Sequence, residues 1–449
     1  MEIAGLVAQH PQLPEALVAE QQRIDAERVA LASGEYVSTS GDPDLYKYFC
    51  QRYSFLVREG GGIGVVLPRS AFVNQGSEGF RDWLYTTTSA ERIDFLLNRG
   101  RWMFDTHPQY GVALVVSRRE APATEHRVAI AGPATSVAAW RAQADSPGVL
   151  IAPSYLAGGW MTPKLRSQSE ADLLTKLRVG SSFALGSSGR WRCFPVAELH
   201  ETNDKRFWHE ATDGQPLWKG ESFDQFDPHG GEARLCPVTD AVRKKLHKSR
   251  AGSKSKVASH AHWKERNRAV LAELKRARVA FRDVSRSDDS RTVRACLVPP
   301  DVLLTNKAPY LAFVTRDERC QAVCLAVMNS LPFDWQVRRF VEINVNFFIL
   351  ESMVVPKLDD LAFNELARTS SRLSATDSRY ADFANAVGVE CGPLPEHERQ
   401  RLRSEIDAWV ARAWELTEAD LGVIFDDFTT DAVPLAYRSA LLERLAELS

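Results

Sequence analysis

The stretches that decide the fold of the second half of this sequence are FRDVSRSDDSRTVRACLVPPDVLLTNKAPYLAF (residues 281–313) and NSLPFDWQVRRFVEINVNFFIL (residues 329–350). Short apolar runs at residues 280–284, 295–298 and 311–314 predict strands, because runs of this length between turn residues are typical of strands buried on both faces. The pattern predicts an α+β domain whose connecting loops are rich in arginine.

The side chains in and around these loops suit contact with DNA. Arginine pairs bidentately with guanine and glutamine with adenine, while lysine, arginine and asparagine also reach phosphates. Any single arginine is more often an ion-paired or solvated surface residue, but the clustering favours a DNA-reading surface. The predicted DNA-binding residues are Lys219, Lys264, Arg282, Arg286, Arg291, Asn306, Lys307, Gln336, Arg338 and Arg339.

A strongly basic segment precedes the first stretch. Between Arg243 and Arg278 there are thirteen Lys and Arg against Glu265 and Glu273, a local charge of +11 in a chain whose net charge is −2. The remainder of the chain therefore carries −13. Such asymmetry predicts a polyanionic partner, and Lys264 lies on a basic helix that we expect to follow phosphates.

The first part of the sequence alternates between helix and strand patterns. A helix is predicted at residues 42–58, with an apolar stripe of Leu45, Tyr48, Phe49, Tyr53 and Leu56, and strands at 63–67, 93–97 and 111–116. This alternation predicts a parallel α/β sheet. The glycines at 60–62 follow a helix and precede a strand, which is the wrong order for a phosphate-binding loop.

Composition limits the remaining possibilities. There is no apolar run long enough to span a bilayer and no signal-peptide pattern after Met1, so we expect a cytoplasmic protein without a membrane partner. Seven scattered cysteines predict reduced thiols, with no metal site. From Lys357 onward ten Lys and Arg face eighteen Asp and Glu in a largely helical pattern, which predicts an acidic helical segment.

Residues 281–350 resemble the target-recognition region of type IIG restriction–modification enzymes and their phage-defence relatives. In that family an adenine-specific DNA methyltransferase lobe precedes the DNA-reading domain. The segment GDPDLYKYFCQRYSFLVREGGGIGVVLPRSAF (residues 41–72) is similar to the middle of this lobe, beyond its catalytic motif. The segment RWMFDTHPQYGVALVV (residues 101–116) is similar to the part that lines the pocket for a flipped adenine, which implies Phe104 and Tyr110 as pocket residues. The alternative is that both are core aromatics.

The resemblance implies an α/β protein with three parts. These are the C-terminal half of a doubly wound, Rossmann-like methyltransferase lobe (1–135), an α+β target-recognition domain (136–356) and an acidic helical segment (357–449). The sequence contains no Asn/Asp-Pro-Pro-aromatic tetrapeptide and no Gly-rich cofactor loop after a first strand. We therefore expect no catalytic residue in this chain and no methylation by the chain alone.

The expected function is recognition of double-stranded DNA as part of an adenine-specific DNA methyltransferase of a restriction–modification or phage-defence system. S-adenosylmethionine would bind only together with a second polypeptide that carries the cofactor loop and the tetrapeptide. Two alternatives stay open. One is a non-catalytic DNA-binding specificity subunit or truncated remnant. The other is a nuclease that uses Glu221, Asp224 and Asp227 as metal ligands.

Overall fold

The computed structural model describes residues 3–31, 36, 41, 43–106, 110–179, 182–187, 189, 192–232, 234–251, 260–273 and 275–448. The chain divides into two compact units, Met1–Gln168 and Ser169–Ser449. No helix within the described ranges is both long enough and apolar enough to cross a membrane.

Within its described residues, the first unit combines five α-helices with a five-stranded sheet. Its elements are α1 (Ile3–Gln9), α2 (Leu13–Leu31), α3 (Leu45–Leu56), β1 (Gly62–Pro68), α4 (Glu78–Thr87), β2 (Ser89–Leu97), β3 (Gly111–Arg118), β4 (Val128–Ala134), α5 (Val137–Ala144) and β5 (Val149–Ile151). The strand order is β1-β3-β2-β4-β5.

This sheet is mixed, so the prediction of a parallel sheet is wrong in part. Strands β1 and β2 run parallel to each other, with α4 between them in sequence, but β3 lies between them in space and pairs antiparallel with both. The link from β2 to β3 contains no α-helix among its described residues, and a connection without a crossover helix favours antiparallel pairing. Strand β2 pairs parallel with β4, and β4 pairs antiparallel with β5.

Helix α3 turns most of its apolar side chains outward. Of the predicted stripe only Tyr48 is buried, while Leu45, Phe49, Tyr53 and Leu56 are exposed. On the opposite side the helix buries Lys47, Gln51 and Ser54. The predicted helix is present, and its apolar residues share one face. No described residues cover that face.

The second unit holds three small sheets and most of the helices. Its elements are α6 (Gln168–Arg178), β6 (Ser182–Ala184), β7 (Cys193–Val196), β8 (Gln215–Trp218), β9 (Leu235–Cys236), α7 (Asp240–Ala251), α8 (His260–Glu273), β10 (Arg278–Phe281), β11 (Ala295–Val298), β12 (Leu303–Leu304), β13 (Tyr310–Phe313), α9 (Glu318–Asn329), α10 (Leu331–Arg338), α11 (Phe347–Ser352), β14 (Val354–Pro356), α12 (Asp360–Ser374), α13 (Ala381–Val387), α14 (Glu396–Ala413), α15 (Glu418–Phe425) and α16 (Leu435–Leu448).

The sheets of this unit have the strand orders β11-β10-β13-β7, β12-β8-β9 and β14-β6. The four-stranded sheet β11-β10-β13-β7 packs against α8, and α9 contacts both β11 and α12. Every residue of α9 from Cys320 to Asn329 is buried. The chain is thus an α/β protein with mixed sheets and a helical C-terminal part. None of the seven cysteines, all of which lie in described ranges, forms a disulfide bond.

The compact units differ from the predicted domain limits. Strand β5, beyond residue 135, pairs with β4 and therefore belongs to the five-stranded sheet of the first unit. Helix α12, beyond residue 356, packs on α9 and so shares a core with the predicted recognition domain. Composition changes at both predicted limits, but continuous packing crosses them.

Candidate nucleic-acid interface

The basic segment forms two helices, α7 and α8, that present an uncompensated positive surface. Each of its side chains is exposed, and none makes an ion pair within the described part of the chain. We call this set the basic helix surface, and its members are Arg243, Lys244, Lys248, Lys264, Arg268 and Lys275. Among the predicted DNA-binding residues, Lys264 belongs to this surface.

Other cations of the segment have structural partners. The Nζ atom of Lys245 lies 3.0 Å from a carboxylate oxygen of Asp204, and an Nη atom of Arg276 lies 2.6 Å from a carboxylate oxygen of Glu318. Arg266 donates to the carbonyl oxygen of Arg250, and burial lowers its pKa. Lys254 and Lys256 lie outside the described residues. The local charge of +11 therefore overstates the charge available to a ligand.

A buried carboxylate ties helix α7 to strands β10 and β12. The Oε1 atom of Glu198 accepts hydrogen bonds from Arg250 at 2.7 Å and Arg278 at 3.0 Å. Its Oε2 atom accepts the backbone N–H of Leu304 at 2.9 Å. The Glu198 side chain is fully buried, and a buried charge is tolerated when it is paired and hydrogen-bonded in this way. These hydrogen bonds fix α7, which carries part of the basic helix surface, to the neighbouring strands.

Three predicted residues are half-buried and already engaged. Lys219 pairs with Glu201, and Lys307 pairs with Asp283 at 2.8 Å. Asn306 uses its side-chain oxygen to accept the backbone N–H of Glu201 at 2.8 Å. These bonds join neighbouring loops, so a role in DNA binding for Lys219, Asn306 and Lys307 stays a prediction.

Arg282 acts mainly as a loop support. Its Nε donates to the carbonyl oxygen of Gly220 at 2.8 Å, and its Nη2 donates to that of Phe223 at 2.6 Å. Burial lowers the pKa of this guanidinium. The residue fixes the turn after β8, which disfavours the predicted direct contact with a base.

Arg286 stands on a surface loop held by several hydrogen bonds, residues 286–290, here called the arginine loop. Asp289 accepts the backbone N–H of Arg286 at 3.0 Å and lies 3.3 Å from its guanidinium. Thr292 closes the loop by donating to the carbonyl oxygen of Arg286 at 3.0 Å. The guanidinium also lies 3.7 Å from the carboxylate of Asp288. The side chain of Arg286 remains 53% exposed, so it is available to a ligand that displaces these two carboxylates.

Arg338 holds the arginine loop from beneath. Its two Nη atoms donate to the carbonyl oxygens of Ser287 at 3.0 Å, Asp289 at 2.7 Å and Ser290 at 3.0 Å. Its Nε lies 3.3 Å from the buried carboxylate of Asp334. Burial lowers the pKa of Arg338, and the negative charge of Asp334 opposes that effect.

The structure corrects three predicted DNA contacts. Gln336 is fully buried and exchanges two hydrogen bonds with the backbone of Val354, at 2.8 and 3.0 Å. Arg338 and Arg339 are only 4% and 5% exposed. Arg339 pairs with Glu170 at 3.1 Å and also with Asp427. These side chains lie in helix α10 and the turn after it, where burial in the core prevents contact with DNA.

Arg291 lies between these extremes. Its side chain is half-buried, and the guanidinium carbon lies 5.3 Å from the ring centroid of Phe428. One Nη atom is buried with no hydrogen-bond partner in the described part of the chain. Of these two predicted DNA-binding arginines, Arg286 is consequently more exposed than Arg291.

Phe104 and Tyr110 lie in the first unit, in the link between β2 and β3. Both rings are exposed, at 48% and 63%, which excludes the alternative that they are core aromatics. Buried Asn98 shapes this link by donating to the carbonyl oxygen of Phe104 at 2.8 Å and accepting its backbone N–H at 3.3 Å. The link begins where β2 ends, at the same edge at which the parallel strand β1 ends. Open α/β sheets bind ligands at this carboxyl edge.

The acidic residues considered for a nuclease do not form a metal site. Asp224 and Asp227 exchange backbone hydrogen bonds at 3.0 Å, and the carboxylate of Asp224 lies 3.4 Å from Arg294. Glu221 pairs with Arg234 at 3.2 Å. Within the described ranges no three His, Cys, Asp or Glu side chains lie close enough together to hold a metal ion.

The structural roles of two residues that organise the arginine loop, Asp289 and Arg338, escaped the sequence analysis. Asp289 had a local signal, since an aspartate in a Ser-Asp-Asp-Ser turn commonly accepts nearby backbone N–H groups. Arg338 had no such signal, because an arginine beneath a loop cannot be told by sequence from one on a surface. Most members of the basic helix surface had a collective signal in the charge density, and only Lys264 was singled out.

No protein-family model matches the chain, and no curated protein matches it in sequence. Among solved structures, the type IIG restriction endonuclease BpuSI is similar with a TM-score of 0.30 and 12% identity over 88% of this chain and 52% of its own. The type IIL restriction–modification enzyme MmeI in complex with DNA gives a TM-score of 0.44 and 10% identity over 88% of this chain and 52% of its own. The DrdV–DNA complex gives a TM-score of 0.38 and 10% identity over 76% of this chain and 40% of its own. The chain spans about half the length of the first two.

Proposed function

We propose that this chain recognises duplex DNA as part of an S-adenosylmethionine-dependent, adenine-specific DNA methyltransferase of a restriction–modification or phage-defence system. The observation that carries the proposal is the basic helix surface, which belongs to the same compact unit as the arginine loop. Phosphate contacts provide affinity and register, whereas base contacts provide specificity. The two features supply these two kinds of contact.

The position of Phe104 and Tyr110 supports a role for the first unit in holding a flipped base. An adenine amino group is hidden in a duplex, so an enzyme that modifies it must extrude the base and hold it between apolar or aromatic surfaces. Two exposed aromatic rings at the carboxyl edge of an α/β sheet suit that task.

The exposed face of the first unit supports a second polypeptide as partner. Strand β1 pairs only with β3 among the described residues, which leaves its other edge open. Helix α3 adds exposed Leu45, Phe49 and Leu56. An open strand edge and a contiguous apolar face both favour association with another chain. In this proposal that chain extends the sheet and brings the cofactor loop and the catalytic tetrapeptide.

The sequence lacks both motifs, so we expect this chain alone to show neither micromolar affinity for S-adenosylmethionine nor methyl transfer to DNA. Isothermal titration calorimetry with the cofactor and a radiolabelled methylation assay measure the two properties. Micromolar cofactor binding by the isolated chain would contradict this division of labour. Methylation that appears only when a candidate partner is added would support it over the alternative of a non-catalytic specificity subunit.

DNA affinity should fall steeply with salt. If the basic helix surface neutralises about five phosphates, the logarithm of affinity falls with the logarithm of salt concentration at a slope of about −4 to −5. Lys264→Ala removes one exposed cation and should weaken binding to all sequences alike, with a slope smaller by about one. Fluorescence anisotropy over a salt series measures both. A slope near zero for the unmodified chain would refute the assignment of this surface.

Arg286 should act on specificity. Arg286→Ala should reduce the preference for the target site over a scrambled duplex by roughly 1–3 kcal/mol, the usual worth of a bidentate contact with guanine. The comparison requires both affinities at the same salt concentration. Lys264→Ala is the matched control, since it removes a cation without touching the arginine loop. Equal loss on both duplexes would reduce Arg286 to a phosphate contact.

A further inference from the structure

The second unit contains a cavity of about 550 Å³ between helices α7 and α8 and the adjoining strands, here called the α7–α8 cavity. Its inner lining is apolar and includes Leu246, Val270, Val302 and Leu303. Small-molecule sites are commonly apolar clefts of this size with a few polar groups that fix orientation. The α7–α8 cavity has the volume for one ligand the size of a nucleotide.

An aromatic side chain forms one wall. The indole of Trp263, in the first turns of α8, lines the cavity and is half-buried. Asn267, one turn further along, donates from its side chain to the carbonyl oxygen of Trp263 at 2.9 Å and lines the same cavity. The indole of Trp263 offers a planar surface on which any nucleobase can stack.

The charge of the cavity is positive. Arg243, His247 and Lys275 are exposed at its margin, and none of the three makes an ion pair among the described residues. In the wall, Arg250 and Arg278 share the single carboxylate of Glu198. Counting Asp301 as well, four Arg and Lys face two carboxylates, which leaves a surplus of two positive charges with histidine neutral. Such a cavity attracts an anion.

Polar groups suited to a base edge also line the cavity. The carboxamides of Gln215 and Asn267 each carry donors and an acceptor, and Asp301 carries acceptors. Asp301 sits in a left-handed turn with φ of 60° between β11 and β12, which carries it to the cavity margin. The apolar wall suits the face of a nucleobase, the hydrogen-bonding groups suit its edge, and the basic margin suits a phosphate.

We propose that the α7–α8 cavity binds one nucleotide, with its base against Trp263 and its phosphate at Arg243, His247 and Lys275. The nucleotide has two possible sources. It is either a free mononucleotide or a nucleotide extruded from DNA that is bound along the basic helix surface. Only the second source rests on the proposed function, and the two are separable by experiment.

The first arm is calorimetric titration of the full chain with dAMP. We expect saturable one-to-one binding that Trp263→Ala weakens roughly tenfold and Trp263→Phe restores in part, since a smaller ring still stacks. Lys275→Ala should weaken it by a similar factor through loss of a charge-assisted contact. Arg316→Ala is the matched control, because it removes an exposed cation that does not line the cavity. Urea unfolding of each variant verifies that the fold is intact.

The second arm compares a fully paired duplex with one that carries a single mismatch. Extrusion costs less from a mismatched pair, so an extruded nucleotide predicts tighter binding to the mismatched duplex. That preference should vanish in Trp263→Ala and persist in Arg316→Ala. Absence of dAMP binding together with absence of a Trp263-dependent mismatch preference overturns the inference. Failure to bind any duplex overturns the proposed function instead, while dAMP binding still decides whether the cavity holds a nucleotide.

Discussion

Replacing Arg338 with methionine is expected to lower the free energy of unfolding by about 3–5 kcal/mol. The substitution keeps much of the side-chain volume but leaves the buried carboxylate of Asp334 without its positive partner. It also strips donors from the carbonyl oxygens of Ser287, Asp289 and Ser290. Urea denaturation followed by circular dichroism measures the change.

The same substitution should erase sequence preference in DNA binding before it abolishes binding itself. Without Arg338 the arginine loop loses its support, whereas the basic helix surface is unchanged. Arg338→Lys keeps the charge but not the planar fork, so an intermediate stability is expected. Arg286→Ala is the control for stability, because an exposed loop residue usually alters it by no more than about 0.5 kcal/mol. Equal stability of Arg338→Met and the unmodified chain would refute the supporting role.

Asp407 should make the stability of the second unit depend on pH. Burial raises the pKa of this carboxyl to about 6, although Arg291 and the hydroxyl of Tyr437, 2.6 Å away, act in the opposite direction. A pKa raised in the folded state favours the protonated form, so the stabilising contribution is complete below pH 4 and is lost as pH rises through 6. The shift of about two pKa units corresponds to roughly 3 kcal/mol.

The measurement compares the unmodified chain with Asp407→Asn by urea unfolding between pH 4 and pH 8. The asparagine cannot titrate, and its side chain retains groups for Leu331 and Tyr437. We expect the advantage of the aspartate over the asparagine to decline between pH 4 and pH 6, by roughly 2–3 kcal/mol, and to level off above pH 6, where the carboxyl is ionised in both the folded and the unfolded chain. A difference that is constant with pH would show that the carboxyl titrates alike in the folded and unfolded chain.

Local pattern was sufficient to locate several elements but not their surroundings. The predicted strands at 295–298 and 311–314 appear as β11 and β13, because short apolar runs between turns have few other ways to be buried. The helix predicted at residues 42–58 appears as α3, Leu45–Leu56. The sequence does not show which side of α3 faces the core, because an apolar stripe identifies a face that needs covering and says nothing about what covers it.

The candidate site shows the same boundary between residue type and context. Arg286, Arg338 and Arg339 are the same residue type in equally basic stretches, yet only Arg286 is exposed. Burial of the other two depends on Asp334, Glu170 and Asp427, which are distant or unremarkable in sequence. Phe104 differs in the opposite sense, because an aromatic beside a strand is ordinarily buried and here it is not.

The open edge of β1 bears on how such a protein is made. A strand with one open edge beside a helix with exposed apolar side chains is a template for mispairing with any other nascent chain, including further copies of itself. If a partner polypeptide covers this edge as proposed, its translation from a neighbouring reading frame would shorten the interval during which the edge meets unrelated chains. Co-production with that partner would then favour a homogeneous assembly more than refolding of separate chains.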